Sequence, residues 1–178
     1  MITRRVVLSL VLLAAGCASF QPGAGFDEVG RLVGDRVGKE VAWSTGGEED
    51  AAVRDRIRAL LAQELSADDV VQVTLLNNLE LQATYQDLGI AQADVVQAGL
   101  LTNPTLSFER RFRGRAAEFD VAQNFLDVFL VPLRQRVAGA NFESSKLKVA
   151  DDVVRHAFEA RHGFFELQAA MQLAEMRR

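Results

Sequence analysis

The chain has 178 residues, of which 49% are hydrophobic and 25% charged, a composition that excludes disorder over its whole length. This length allows one domain with a packed core. The formal net charge of −4 argues against nucleic acid as a partner, because binding to phosphates needs a dense cationic surface.

The first segment has the pattern of a secretory signal peptide, 1–16. Two arginines precede the apolar run Val6–Leu13, which is too short to span a bilayer. The next residues, Leu13–Cys17, resemble a bacterial lipobox, in which cleavage precedes the cysteine and its thiol is acylated, for example with palmitate. Ala18 in place of Asp implies, by the same resemblance, sorting to the outer membrane. We predict lipid attachment at Cys17; an ordinary signal with a chance cysteine is the alternative.

Residues 17–65 have less regular patterning and are predicted to form an N-terminal linker with one short helix. Gly30, Gly34 and Gly38 recur at every fourth position, but the charged residues between them exclude the glycine packing of a membrane helix. The run "STGGEED" predicts a turn. Val53–Leu65 then predicts a short amphipathic helix.

A long helix is predicted over 66–102. Ser66 can cap its first turn, and the helix should stop before Pro104 because proline disfavours helical geometry at Asn103. Its apolar and small residues repeat at seven, which predicts a coiled-coil seam. The seam contains Leu81, Leu88 and Val95, with Thr84, Ala91 and Ala98 three positions later.

An acidic row, Glu80, Asp87 and Asp94, lies beside this seam at the same spacing. A solvated helix face is the simpler interpretation and the one that the sequence favours. An acidic lining of a water-filled conduit is the alternative.

After Asn103 and Pro104 the pattern changes to alternation, broken at Arg110 and Gln123, which predicts a β-hairpin over 105–126. Each arm has about nine residues, near the length of a tilted transmembrane strand. One face carries Leu106, Phe108, Phe112, Phe119, Val121 and Phe125. The arginine cluster 110–115 is interpreted as the polar face and tip of the hairpin, with binding of anionic groups as the alternative.

The remaining residues, 132–178, predict one helix about 70 Å long, with Pro132 in its first turn. Its heptad rows are Ala150, Ala157, Phe164 and Met171, with Val153, Ala160, Leu167 and Ala174. Its two histidines, His156 and His162, do not share a helix face. Glu159 and His162 have the spacing of a di-iron ligand pair, but no second such pair exists. We therefore predict no catalytic residues, no metal site and no cofactor.

Three runs resemble the first half of a TolC-type outer-membrane efflux protein, in the lipoprotein branch that serves resistance-nodulation-division pumps. They are "LLNNLELQATYQDLGIAQADVVQAGLLTNPTLSF", the hairpin, and the run from Phe125 to Ala170. Leu79 departs from the family, which usually has proline there. The resemblance implies a protein that is mostly α-helical with a β-hairpin, in which long helices form a periplasmic α-barrel and the hairpin gives two strands to a transmembrane β-barrel.

The same resemblance implies the function and the partners. Family members are trimeric exit ducts for drugs or metal ions, docked to a periplasmic adaptor and an inner-membrane transporter, and they are not enzymes. The junction residues Asn103 and Pro104 would mark the passage into outer-membrane lipid. Because the family has two such repeats, we expect 66–178 to be the first repeat of a truncated or partial chain. The alternative function is a coiled-coil structural lipoprotein, tethered to the outer membrane and reaching into the periplasm.

Overall fold

The structure, a computed structural model, describes residues 21, 23–110 and 117–177. Its elements follow in the order α1 (Phe26–Val37), α2 (Glu49–Leu61), α3 (Ala67–Asn77), α4 (Leu79–Ala98), β1 (Thr105–Arg110), β2 (Ala117–Ala122) and α5 (Leu126–Met176). The protein is mostly α-helical with one two-stranded antiparallel sheet, as the sequence predicts.

Helix α5 is the element on which the others assemble. It has 51 residues, a length of about 75 Å, and α1, α3 and α4 all pack against it. Helix α4 runs antiparallel to α5, since Glu80 lies beside His156 at one end and Gly99 beside Gln135 at the other. The hairpin therefore stands at one end of the α4–α5 pair.

Among the residues that the structure describes, one apolar core joins four helices. Its members are Val29 and Val33 of α1, Val71 and Leu75 of α3, Leu81, Tyr85 and Leu88 of α4, and Val149, Ala150, Val153 and Ala157 of α5. The predicted heptad rows supply five of these residues. Beyond Ala160 the rows are not buried: Leu167 and Met171 are largely exposed and line an open groove beside Leu65.

The predicted helix 66–102 is in fact two helices. Asn78 adopts extended geometry (ψ 119°) and caps α4 through its side chain, whose Oδ1 accepts the Glu80 N–H at 2.8 Å. The Asn78 side chain thus takes the place of the backbone carbonyl that would accept the Glu80 N–H in a continuous helix. At the start of α3, Ser66 and Asp69 form a capping box, which confirms the predicted cap at Ser66.

Three further elements differ from the prediction. Helix α1 was not predicted. Helix α2 spans Glu49–Leu61 rather than Val53–Leu65. Helix α5 begins at Leu126 rather than at Pro132, because the Asn124 Oδ1 accepts the Leu126 N–H at 3.1 Å and starts the helix earlier; Pro132 lies inside it.

An extended segment between α1 and α2 crosses the break at Asn78; we call residues 39–44 the strap. The Gln72 side chain binds both backbone groups of Glu40: it donates to the C=O at 2.9 Å and accepts the N–H at 3.3 Å. The Gln82 amide donates to the Ala42 C=O at 2.8 Å and accepts the Ser44 N–H at 2.7 Å. The strap thus ties α3 and α4 together across the break.

Candidate functional site

The helix-to-strand junction is short. Helix α4 ends at Ala98, a turn follows through Gly99 and Leu100, and β1 begins at Thr105 directly after Pro104. Asn103 and Pro104 are exposed and lie between the two elements, where the sequence predicts the junction. The helix ends four residues earlier than predicted, so the change of backbone geometry occupies residues 99–104.

A cluster of polar side chains closes the base of the hairpin; we call Thr102, Gln123, Asp127 and Arg134 the junction clamp. The carboxylate of Asp127 accepts the Thr102 N–H at 3.2 Å and a short bond from the Thr102 hydroxyl. Arg134 lies 3.6 Å from the other oxygen of Asp127. Gln123 donates to the Thr102 C=O at 3.0 Å. The clamp therefore joins the chain before β1 to the chain after β2.

Asp127 is buried although it carries charge. The hydrogen bond from the Thr102 hydroxyl lowers the pKa of this carboxyl group, and the Thr102 N–H and Arg134 act in the same direction, whereas burial opposes them. Sequence reasoning missed the clamp. The i, i+7 spacing of Asp127 and Arg134 was a readable sign of a shared helix face, but their partner Thr102 lies 25 residues away along the chain.

The strand register confirms the predicted face for Leu106, Phe108, Phe119 and Val121. The prediction is wrong for Phe125, which follows β2 and has helical geometry as the N-cap residue of α5. Leu106 pairs with Val121 and Phe108 with Phe119, and because directly opposed residues share a face, these four side chains form one apolar surface. The two phenyl rings are in contact, with centroids 4.7 Å apart. All four side chains are more than half exposed.

A second row of exposed apolar residues lies on the first turns of α5, directly after the hairpin in the chain. Leu126, Phe129, Leu130, Leu133 and Val137 follow i, i+3, i+4, i+7 and i+11 spacing, which places them on one side of the helix. All are exposed, Phe129 by 80%. We call these five residues, with the four of the hairpin face, the apolar belt. Exposed large apolar side chains that are concentrated in one region, rather than scattered singly, are typical of an interaction site.

The three residues of the acidic row have different surroundings. Glu80 is exposed and its carboxylate lies 3.3 Å from the Nε2 atom of His156. Asp87 and Asp94 are also exposed, and they line a shallow groove between α4 and α5 together with Lys148 and Asp152. The row therefore lies on a solvent-exposed side of α4.

Other sequence-based site predictions have these outcomes. Cys17, the signal peptide, Phe112 and the tip of the arginine cluster lie outside the described residues. Glu159 pairs with Arg155 at 3.2 Å, and His162 lies 3.5 Å from Glu166, so Glu159 and His162 are engaged with different partners. Within 21, 23–110 and 117–177, the structure contains no group of three or more side chains suited to hold a metal ion.

None of the described helices is both long enough and apolar enough to cross a membrane. Comparison of the chain with protein-family models, with curated proteins and with solved structures finds no match to any of them.

Proposed function

We propose that this chain is a component of an outer-membrane duct for efflux, as its resemblance to TolC-type proteins implies. In this proposal the hairpin enters the bilayer, the helices form part of an α-barrel in the periplasm, and acylated Cys17 anchors the chain to the outer membrane. The duct acts passively and exports drugs or metal ions that a transporter delivers.

The observation that carries the proposal is the apolar belt. It lies at one end of the α4–α5 pair and on one face of the hairpin, whereas the opposite face carries polar residues such as Ser107 and Asp120. Transfer of one large apolar side chain from water into hydrocarbon contributes about 1.5–3 kcal/mol. The nine side chains of the belt would therefore strongly favour contact with lipid or with other apolar chains.

The proposal also sets a requirement on the edges of the hairpin. Inside hydrocarbon every backbone N–H and C=O must be paired within the protein, so strands can cross only as part of a closed barrel. Among the described residues β1 and β2 pair only with each other. The proposal thus requires further strands at both edges. In the resembled family, three subunits with two repeats each supply them. This hairpin alone would give a trimer only six strands, which would not close the usual duct.

The solvent-exposed acidic row suits the wall of a hydrated duct. Charges on such a wall favour solutes of opposite sign, without any binding step or reaction. Asp87 and Asp94 are exposed and line the shallow groove between α4 and α5, which supports this role. The partners in this proposal are a periplasmic adaptor and an inner-membrane transporter.

A coiled-coil spacer lipoprotein is the second candidate, and the length of α5 suits it. A spacer, however, has no use for a strand pair between two helices or for exposed phenylalanines on one face of that pair. The hairpin over 105–110 and 117–122 therefore supports the duct over the spacer.

The test is a deletion of the gene in its own host, followed by measurement of tolerance to drugs and metal ions. We expect tolerance to fall, to return with the native gene, and to stay low with the Phe108→Asp, Phe119→Asp double variant, whose charges oppose lipid contact. The matched control, Thr105→Asp, lies on the other face opposite Ala122 and should restore tolerance. Unchanged tolerance to every compound after deletion would refute the duct.

A further inference from the structure

A row of residues on α5 lies outside the four-helix core. Its members recur in alternating steps of four and three residues, which is the spacing of a coiled-coil seam. We call this row the outer seam: Leu147, Asp151, Val154, Phe158, Arg161 and Phe165. Three of its side chains are large, apolar and more than half exposed, Leu147 by 60%, Phe158 by 65% and Phe165 by 55%. The row is narrow and has charged residues such as Lys148 and Arg155 beside it, so a single helix would suffice to cover it.

The two halves of the outer seam have matching chemical character around position 156. Residues equally far before and after this position form three pairs: Leu147 with Phe165, Val154 with Phe158, and Asp151 with Arg161. Two of the pairs join apolar side chains, and the third joins opposite charges. When two copies of a helix pair antiparallel about a two-fold axis, such residues face each other and each contact occurs twice. The outer seam is therefore complementary to itself.

We propose that the outer seam pairs two copies of this chain, with their α5 helices antiparallel and centred on position 156. In this dimer Leu147 packs on the partner's Phe165. Val154, which is partly buried against the core, packs on the partner's Phe158. Each apolar layer thus joins one aliphatic side chain to one phenyl ring, which keeps the interface evenly filled along its length. Removal of the exposed side chains from water is the driving force.

Asp151 and Arg161 decide the direction in which the helices pair. Asp151 is exposed, and in the part of the chain that the structure describes it has no ion-pair partner. Arg161 binds Asp68 at 2.5 Å, yet its side chain is 42% exposed and its guanidinium has further N–H donors for a second carboxylate. Antiparallel pairing brings Asp151 to the partner's Arg161, whereas parallel pairing in register would bring each charge to its own copy. The charges therefore favour the antiparallel dimer.

The residues nearest to the two-fold axis do not oppose this pairing. His156 is buried on the core side of α5, so its side chain is not part of the outer seam. Arg155 lies beside the seam and approaches its own copy on the partner. Its charge is balanced within the chain, because it binds Asp152 at 2.7 Å and Glu159 at 3.2 Å. Repulsion between the two arginines is therefore small.

The geometry separates this dimer from the proposed duct. Leu126, the first residue of α5, precedes position 156 by 30 residues, which is about 45 Å of helix. The two hairpins of the dimer therefore lie about 90 Å apart and point in opposite directions, so one bilayer cannot take up both. The dimer is a state of the chain outside the membrane, and this inference does not rest on the proposed function.

Cross-linking of two single-cysteine variants tests the dimer. The full chain, purified in detergent micelles with Cys17→Ala to remove its one natural thiol, carries either Leu147→Cys or Phe165→Cys. We expect a short bis-maleimide to link a mixture of the two variants into dimers. Neither variant alone should be linked, because in the antiparallel register each new thiol lies about 27 Å along the helix from its own copy.

The matched control for this mixture is Leu147→Cys with Leu167→Cys. Leu167 is also exposed, by 60%, but two residues beyond Phe165 it lies on the other side of α5. This mixture should not be linked. Absence of links in the mixture of Leu147→Cys and Phe165→Cys, or links within either variant alone, would overturn the antiparallel dimer.

Charge reversal provides a second measurement. Asp151→Arg places an arginine opposite the partner's Arg161 in both charged layers, and the dimer Kd, measured by sedimentation equilibrium, should rise at least about tenfold. Removal of the charge alone is less informative, since exposed ion pairs contribute little to stability. The control Asp94→Arg, at an exposed position of α4, should leave Kd unchanged. Circular dichroism checks that both variants keep their helix content; a Kd that Asp151→Arg does not alter would contradict the proposed register.

Discussion

At the scale of single residues, Asp127 connects the two sides of the hairpin base. Its carboxylate binds two groups of Thr102 before β1 and faces Arg134 after β2. Removal of the carboxylate leaves the Thr102 N–H and the Arg134 guanidinium without this acceptor. The loss of stability from an unpaired donor of this kind exceeds the net contribution of the bond itself. The geometry of the junction thus depends on one side chain.

We predict that Asp127→Ala loosens the hairpin base. The Tm should fall by about 3–8 °C, and exchange of the Thr102 amide hydrogen should accelerate at least about tenfold. Circular dichroism and hydrogen exchange measure the two effects. Asp151→Ala, at an exposed position of the same helix, is the control and should change neither quantity. An unchanged Thr102 exchange rate in Asp127→Ala would show that the clamp does not restrain the junction.

Gly25 is a second residue with a specific structural requirement. Its φ of +85° belongs to the left-handed region, and a Cβ there would lie 2.9 Å from the Phe142 ring. We predict that Gly25→Ala lowers the free energy of unfolding by about 1–2 kcal/mol. Gly34→Ala, inside α1 with open space around it, should instead raise it by up to about 1 kcal/mol. Urea unfolding of both variants tests the pair; equal effects would contradict it.

The carboxyl groups give the acid response of the fold. Hydrogen bonds lower the pKa of Asp127, of Asp69 in the α3 capping box and of Glu28 beside Lys146. A group with a lowered pKa in the folded state contributes stability above its ordinary pKa and loses it as pH falls through the folded value. We predict that Tm declines below about pH 4 and that the decline is shallower in Asp69→Asn. A decline of the same steepness in that variant would exclude Asp69 as a contributor.

At the scale of elements, the helix–hairpin–helix order was predictable because each part has its own periodicity. Alternation from Leu106 to Phe108 and from Phe119 to Val121 predicts the strands, and the register of the sheet agrees with it. Heptad repeats predict which residues of α4 and α5 meet. These are local signals, and a single sequence contains them in full.

Other elements depended on signals that are weaker or not local. The break at Asn78 had a readable sign: Asn is a favoured cap, and proline, which the resembled family has at the next position, is favoured as the first helical residue. Helix α1 buries only Val29 and Val33. This apolar row is short, and the glycines in the helix are residues that usually indicate a turn or loop. The clamp and the His156–Glu80 contact join residues from separate elements, which no periodicity reveals.

Release of the strap can be followed by tryptophan fluorescence, because Trp43, within the strap, is the single tryptophan of the chain. Trp43 lies in an aromatic cluster with Phe26 and Tyr85. We predict that Gln82→Ala releases the strap, lowers the free energy of unfolding by about 1–3 kcal/mol and shifts Trp43 emission to longer wavelength. Gln86→Ala, exposed on the same helix, should leave both unchanged. Native emission in Gln82→Ala would mean that packing alone holds the strap.

At the scale of the whole molecule, the chain divides along its length. The four-helix core lies around the middle of α5, where charged side chains cover the outer surface. The hairpin end has the opposite character, since the apolar belt is exposed there and polar groups are gathered in the clamp beneath it. The proposed duct, which would stand in water and enter lipid at one end, requires such a division.

The central claim is that one face of the hairpin contacts hydrocarbon and the other does not. In a Trp43→Phe background, tryptophan is placed at Phe108 or, as the matched control, at Ser107 on the opposite face. The full-length chains are then reconstituted into vesicles with lipids brominated along their acyl chains. We predict strong quenching for Phe108→Trp and much weaker quenching for Ser107→Trp. Equal quenching of the two, or quenching of neither, would contradict the account.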